Sequence, residues 1–580
     1  MSTVEVPVLI VGGGGSGLSA SVFLSAHGID HLLVERRADT SRLPKAHYLN
    51  QRTMEIFRQY GLADDVTELA AGPEQFGKVR WQTTLTGPGP LDGRVIHEMD
   101  AFGGGALRDA YEAAGPVLPA KLPQLRLEPI LRRHAERQGP GRVRFGHEVV
   151  TLTENAENVT AEIRDTETGE TTTVVAQYVI AADAGRTVGP ALGIRMEGLP
   201  ALFDATTAYF SADLSQWWTE GSVITWFLNP YRPDLSSALI EMGPTWGKQC
   251  EEWGLHLPLA GIDRTDEAAV TGRIREVLGL PELELTLHDV TSWSVEAVIA
   301  ERYRQGRVFL VGDAAHRQPP AVGLGLNSGI QDAHNLAWKL ASVVTGRAGD
   351  GLLDTYEAER RPVGQFNLGW AMSAAGHHQV VIDAAVGLGP HVPPERRTVA
   401  FFSYFSPTPV GAAQRARAAE IFATHRAECQ ALDVETGFAY EQGAVVPDGS
   451  APPARSPLGD VYRPTTRPGH LLPHAWTGRD GERRSTHDLV GTGFALLTGP
   501  DAAAWAEAAE QVAGKLSVPL TVTRLDEAAW QSLPGTDPAG AGAVLVRPDQ
   551  HVAWRAAGAE ADPAEALGEA LALVLGHRAP

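Results

Sequence analysis

Two glycine-rich turns, the acidic residues beside them and two histidines are the residues of this chain whose types and spacing could do chemistry. The first turn, Gly12-Gly13-Gly14-Gly15-Ser16-Gly17, satisfies G-x-G-x-x-G. It follows the apolar run from Val6 to Val11 and precedes a helix-forming stretch from Leu18 to about His27. Glycines in this setting permit a tight turn and let the backbone approach a pyrophosphate, while the next helix aims unpaired N–H groups at the anion. Gly12, Gly14, Gly15, Ser16 and Gly17 are therefore candidate cofactor ligands. A second apolar run, His31 to Val34, ends at Glu35, with Arg36 next. Glu35 sits where a carboxylate accepts ribose hydroxyls, and Arg36 joins it as a cofactor candidate. The glycine motif alone is a weak signal; the strand–turn–helix–strand–acid order makes it a strong one. NAD and FAD enzymes share this unit, so the dinucleotide stays open at this point.

A second anion site lies about three hundred residues later. Arg307 to Val311 reads as a buried strand and ends in Gly312-Asp313-Ala314-Ala315-His316. Pro319-Pro320 follow, then Gly323-Leu324-Gly325-Leu326-Asn327-Ser328-Gly329, then a helix with apolar residues at Ile330, Ala333, Leu336, Ala337, Leu340 and Ala341. A dehydrogenase with one dinucleotide site has no evident use for this second strand–loop–helix unit. A flavin enzyme does, because reduced isoalloxazine carries negative charge that a helix N-terminus stabilises. A third strand, Tyr178 to Ala182, delivers Asp183 to a turn.

With these motifs in place the sequence resembles the class A FAD-dependent aromatic hydroxylases, in the branch of the phenol and 2,4-dichlorophenol hydroxylases. The resemblance is closest over His316-Arg-Gln-Pro-Pro-Ala-Val-Gly323-Leu-Gly325-Leu-Asn327-Ser-Gly-Ile-Gln331-Asp332 and over Tyr356-Glu-Ala-Glu-Arg360-Arg-Pro362. It implies that Asp313 binds the ribityl chain and that Pro319, Pro320, Gly323, Gly325, Leu326 and Asn327 surround the flavin, Pro319 also bordering the substrate. It implies that Asp183 touches both FAD and incoming NADPH (or NADH). Ala184 stands where that family has glycine, with Gly185 one place later, so the turn's φ > 0 position is expected to move. Arg52, in Arg52-Thr53-Met54-Glu55, is expected near the flavin pyrophosphate, and Gln124 is expected to contact FAD.

The implied reaction is reduction of FAD by NAD(P)H, addition of O2 to give a C4a-hydroperoxyflavin, and transfer of one oxygen to a phenolic or other aromatic ring. His47 lies in the Ala46-His47-Tyr48-Leu49 segment where phenol hydroxylases place a catalytic acid, so it is the candidate base. His316, next to the Gly-Asp turn, is the second catalytic candidate. No metal site is expected. The same machinery could act on a larger secondary metabolite or antibiotic, by hydroxylation or Baeyer–Villiger insertion; pocket volume would separate the two. Flavin-dependent halogenation is disfavoured, since no Trp-x-Trp-x-x-Pro occurs. A non-catalytic flavin-binding assembly protein is the alternative from another class.

The elements that must position these residues follow from periodicity and composition. The expected fold is α/β: a Rossmann-like FAD-binding domain (1–190 and 291–404), an inserted β-sheet substrate domain (191–290) and a C-terminal thioredoxin-like domain (405–580). Aromatics crowd the insert, and Trp226, Phe227 and Trp293 are the candidate substrate wall. The C-terminal region alternates strands and helices, but the chain's two cysteines, Cys250 and Cys429, form no Cys-x-x-Cys. They also exclude a disulfide framework. Lys and Arg number 49 against 70 Asp and Glu, a net charge of −21, which repels nucleic acid and anionic membranes. The charge-free stretch from Val6 to Ile29 is too glycine- and serine-rich to span a lipid bilayer, and no signal peptide is evident. A cytoplasmic location, a small aromatic partner with O2, and a homodimer, as the family would allow, complete the expectations.

Overall fold

The computed structural model describes residues 2–259, 261–388, 392–478 and 483–577. Its first sheet has eight strands, whose main path runs Arg304–Gln305, Val308–Leu310, Thr171–Ala181, Ser2–Val11, His31–Glu35, Val143–Phe145. The inner pairings are parallel. Strands buried on both faces need unbroken apolar runs, and Val8 to Val11 and Leu32 to Val34 supply them. Helix Gly15–Ala26 is apolar all round and accordingly lies buried, packed on helices Leu324–Val344 and Gln124–Gln138.

A second eight-stranded sheet runs in the order His316–Arg317, Thr286–Ala300, Met196–Ser211, Glu252–His256, Ser237–Gly243, Ser222–Phe227, Lys78–Gln82, Val95–Asp100. Helix Glu267–Leu278 covers its back through Val270, Ile274, Val277 and Leu278, against Phe210, Phe227, Leu239 and Trp253. The substrate sheet thus exceeds the expected 191–290 at both ends. Two strands come from residues 78–100, through the parallel pairing of Lys78–Gln82 with Ser222–Phe227. Such a pairing joins segments about 140 residues apart, so no local pattern announces it.

The region after residue 404 also divides differently. Helix Pro409–Phe422 and the turn of helix Arg426–Cys429 pack on the second sheet, where Phe401, Phe422 and Cys429 meet Val79 and Trp81. The C-terminal unit proper is a four-stranded sheet, Leu520–Arg524, Phe494–Thr498, Ala543–Val546, Val552–Ala556. Its first two strands are parallel and joined by helix Ala504–Leu516, and the other pairings are antiparallel. Helices Ala504–Leu516 and Pro563–Val574 cover one face, and that core is continuous with Trp338 and Leu352 of the first domain.

Candidate active site

Register brings the glycine turns together. Val11 pairs with both Val34 and Ala181, and Ala181 pairs with Leu310, so four parallel strands end at one height. The chain leaves that edge at Gly12, Glu35, Asp183 and Asp313, the crevice where open α/β sheets bind ligands. One continuous cleft of about 1690 Å³ starts there and runs between the second sheet and helix Gly351–Ala385. It is lined by Gly12, Gly14, Gly15, Ser16, Glu35, Arg36, His47, Gln124, Asp183, Asp313, Pro319, Pro320, Gly323, Gly325, Leu326, Trp226 and Trp293.

The backbone at this edge is shaped for close approach. Gly12 has φ +112°, and a Cβ there would overlap the Ala182 carbonyl oxygen. Two other glycines on the cleft, Gly14 and Gly325, behave otherwise. A Cβ on Gly14 would meet only Glu128 Oε1 at 3.6 Å, and one on Gly325 would meet nothing within 4 Å. Their missing side chains leave room beside the N-termini of two long helices, Gly15–Ala26 and Leu324–Val344, both opening into the cleft. A dinucleotide with an anionic centre and a flat, electron-rich ring fits this pair of termini.

The acidic residues divide their labour. Glu35 accepts from Gly13 N at 2.8 Å and Arg37 N at 2.9 Å, so it holds the first turn while facing the cleft. A carboxylate keeps further lone pairs for a ligand. Asp183 caps its own turn, accepting from the backbone N of Gly185, Thr187 and Val188 at 3.0, 2.6 and 2.8 Å. Ala184 and Gly185 both adopt positive φ, +58° and +67°. The left-handed position has therefore spread over two residues rather than moved. Asp313 is exposed within the cleft, and its carboxylate makes no hydrogen bond among the described residues. Gln124 opens helix Gln124–Gln138 and donates to Glu128 Oε1 at 2.6 Å.

Five expected residues lie off the cleft, each for a physical reason. Arg52 is buried beneath the C-terminal unit, donating to Gln550 Oε1 at 2.7 Å, Asp549 O at 2.9 Å and Glu55 Oε2 at 3.1 Å. Those acceptors consume its fork and turn it away from any pyrophosphate. His316 is buried, its Nε2 2.8 Å from Asp332 Oδ2, and Arg360 Nε donates to the other Asp332 oxygen at 2.7 Å. The triad braces the Gly-Asp turn, since Gly312 N also donates to Asp332. Asn327 is buried too. It accepts from Asn50 N at 3.0 Å and donates to Tyr48 O and Gly323 O at 3.0 and 2.6 Å, locking the glycine loop to the strand before helix Gln51–Gln59. Gly17 faces the Gly12 carbonyl, so it serves turn packing. Phe227 follows Trp226 on one strand, and successive side chains take opposite faces. Trp226 therefore faces the cleft, whereas Phe227 joins the core behind the sheet.

His47 reaches the cleft, but burial, then Lys121 and His256, lower its pKa to about 3. Its imidazole stays neutral and is a weak acceptor of a full proton, since a good general base titrates near working pH. Trp293 stands at the open mouth. Several cleft residues carry no motif. Lys45, solvent-exposed along the cleft, has its pKa lowered by the desolvation of the cleft walls and then by Arg37, and the buried Glu128 has its carboxyl raised by burial. Thr207, hydrogen-bonded to His256 Nδ1 at 2.9 Å, faces inward from the sheet. His378 and Glu428 line the far wall. Only the i, i+3 spacing of His425 and Glu428 hinted at that last group.

Comparison with known proteins agrees with this geometry. Residues 5–371 match the FAD binding domain family, and residues 465–578 match the aromatic-ring hydroxylase C-terminal family. The chain is 37% identical to the tetracenomycin A2 monooxygenase-dioxygenase of Streptomyces glaucescens, over 99% of this chain and 98% of that one. It is 35% identical to the 2,4-dichlorophenol 6-monooxygenase of Delftia acidovorans, over 99% of each. Among solved structures, the flavin-dependent monooxygenase PieE, in complex with FAD and substrate, superimposes with a TM-score of 0.92 at 37% identity over 100% of both chains.

Proposed function

Because this chain belongs to the FAD-dependent aromatic-ring hydroxylases, we propose that its substrate is a flat, multi-ring phenol rather than a single-ring one. The enzyme is an NAD(P)H-dependent monooxygenase of aromatic compounds. The cleft volume carries the choice of ring number. If the dinucleotide takes about 1000 Å³, the top of the ordinary ligand-site range, roughly 700 Å³ remains for substrate. A single phenol ring would leave most of that space to water, which this chemistry excludes.

The bound flavin supplies oxygen activation and transfer. The chain supplies the rest. Gly14 to Ser16 present N–H groups to the pyrophosphate, and Asp313 offers a free carboxylate to the hydroxylated linker. The Gly323–Gly325 loop, pinned by Asn327, offers a helix N-terminus to the ring. Trp226, Ile240 and Met242 form an apolar wall on the sheet side. The neutral His47 can accept a hydrogen bond without bringing charge into the cleft.

NADPH and NADH oxidation by the purified yellow protein, measured with single-ring phenols and with multi-ring phenols, tests this reading. Stimulation by the multi-ring set alone is expected. Equal stimulation by phenol or a chlorophenol would overturn the ring-number assignment.

A further inference from the structure

The wall facing the sheet carries a cluster that the reading above leaves unused. Helix Gly351–Ala385 contributes His378, and the turn from Ala423 to Cys429 contributes His425 and Glu428. His378 Nδ1 lies 2.8 Å and His425 Nδ1 3.3 Å from the same oxygen, Glu428 Oε2. The His378 ring packs 4.4 Å from Trp226, and the His425 ring stacks 5.0 Å from Trp81. Ala374, one turn before His378, packs with Val322 of the glycine loop. The cluster therefore sits where the substrate chamber meets the expected flavin ring.

Two imidazoles committed to one carboxylate oxygen leave the other available. Glu428 Oε1 makes no hydrogen bond among the described residues, and Glu428 lines the cleft. Burial works to raise this carboxyl, but His378 and then His425 outweigh it and hold the pKa at about 2, so the group is ionised. An ionised carboxylate only accepts hydrogen bonds. Two histidines and a glutamate are also a zinc-type ligand set. However, both Nε2 atoms are buried without partners, so among the described residues neither ring has the carboxylate or carbonyl that braces a metal-bound histidine from behind.

We propose that Glu428, held by His378 and His425, anchors a hydroxyl group of the aromatic substrate through its free oxygen. This rests on the multi-ring phenol reading and names the group that recognises it. The hydroxyl donates to the carboxylate and keeps its proton, which pushes electron density into the ring and favours attack by an electrophilic oxygen. The same charge rejects a substrate carboxylate and gains nothing from an ether. Glu428 is thereby the specificity-determining residue of the chamber.

The test uses the oxidised holoenzyme and needs no turnover. 2,6-Dihydroxyanthraquinone, whose hydroxyls have no neighbouring carbonyl to donate to, and its dimethyl ether are titrated against the flavin absorbance of wild type and Glu428→Gln, with flavin content and melting temperature recorded. Wild type is expected to bind the dihydroxy compound at least about tenfold tighter than the ether, the scale of a lost hydrogen bond to a charged group. Glu428→Gln is expected to bring the two within about twofold. A wild-type ratio near one overturns the anchor, even if the variant fails to fold. If neither anthraquinone binds but single-ring phenols do, the multi-ring reading falls and phenol against anisole decides the anchor by the same ratio. One equivalent of zinc or iron in the purified holoenzyme, lost in Glu428→Gln, would overturn the anchor in favour of a metal site.

Discussion

Trp226 and Phe227 are adjacent aromatics on one strand, and the structure assigns them opposite jobs. Phe227 is 2% exposed and packs with Leu239, Trp253, Val270 and Ile274 behind the sheet. Truncating a buried Phe to Ala costs about 3–5 kcal/mol through lost transfer energy and a cavity. For a cooperative unit of 150–250 residues, each kcal/mol lowers the melting temperature by about 2–4 °C, so Phe227→Ala should lose roughly 6–20 °C. Its Michaelis constant for an accepted aromatic should stay within about twofold of wild type. Trp226 is half-buried and meets the cleft. Trp226→Ala should lose about half as much stability and weaken aromatic binding by about 1–2 kcal/mol, a 5- to 30-fold rise in Kd. Thermal unfolding followed by tryptophan fluorescence, with ligand titration against the flavin spectrum, reads both quantities on the same samples. If Phe227→Ala weakens binding while Trp226→Ala melts the protein, the strand is a register away from its assigned position and the cleft wall is wrong.

Gly12→Ala should yield soluble protein with little bound flavin, because the new Cβ strikes the Ala182 carbonyl that lies under the turn; flavin content per chain checks this. Arg52→Ala leaves Glu55 buried without its cation and removes the grip on Asp549 and Gln550, so it should cost about 3–5 kcal/mol. Limited proteolysis should then cut at the C-terminal unit before FAD affinity falls; loss of FAD affinity in a stable, uncleaved variant would restore Arg52 to the pyrophosphate. Glu435 is buried with Tyr48 as its hydrogen-bond partner, and burial raises its carboxyl from 4.5 to about 8. The folded state binds this proton more tightly than the unfolded chain, so its contribution is fully present below pH 4.5 and is lost as pH rises through about 8. Glu435→Gln should therefore gain stability relative to wild type between pH 5 and 8, by up to a few kcal/mol, with the difference largest at the alkaline end. A difference between the two melting curves that does not change with pH would refute it.

What the sequence determined by itself is whatever depends on neighbours in the chain. The glycine turn between two apolar strands, the Gly-Asp turn of residues 312–313 and the helix after Gly325 are set by local backbone freedom and period. They marked Gly12, Gly14, Glu35 and Asp313, with Asp183 after its own strand, as residues at strand ends, and long-range register then set those ends at one edge of the sheet. The flavin and the hydroxylase class followed from the same residues and their resemblance. Tertiary structure decided everything that needed a distant partner or the choice of a face. Arg52 has the right fork for a pyrophosphate, but two of its three acceptors lie 497 and 498 residues away in another unit. His316 stands three residues from Asp313, yet a carboxylate one helix later claims it. Asn327 and Phe227 sit one or two positions from true cleft residues and point elsewhere, because helix and strand periodicity fixes relative faces but not which face meets the cavity. The His378–Glu428 pair spans 50 residues and two elements. Each of these outcomes is a matter of long-range packing, where the free energy lies in contacts that no local pattern encodes.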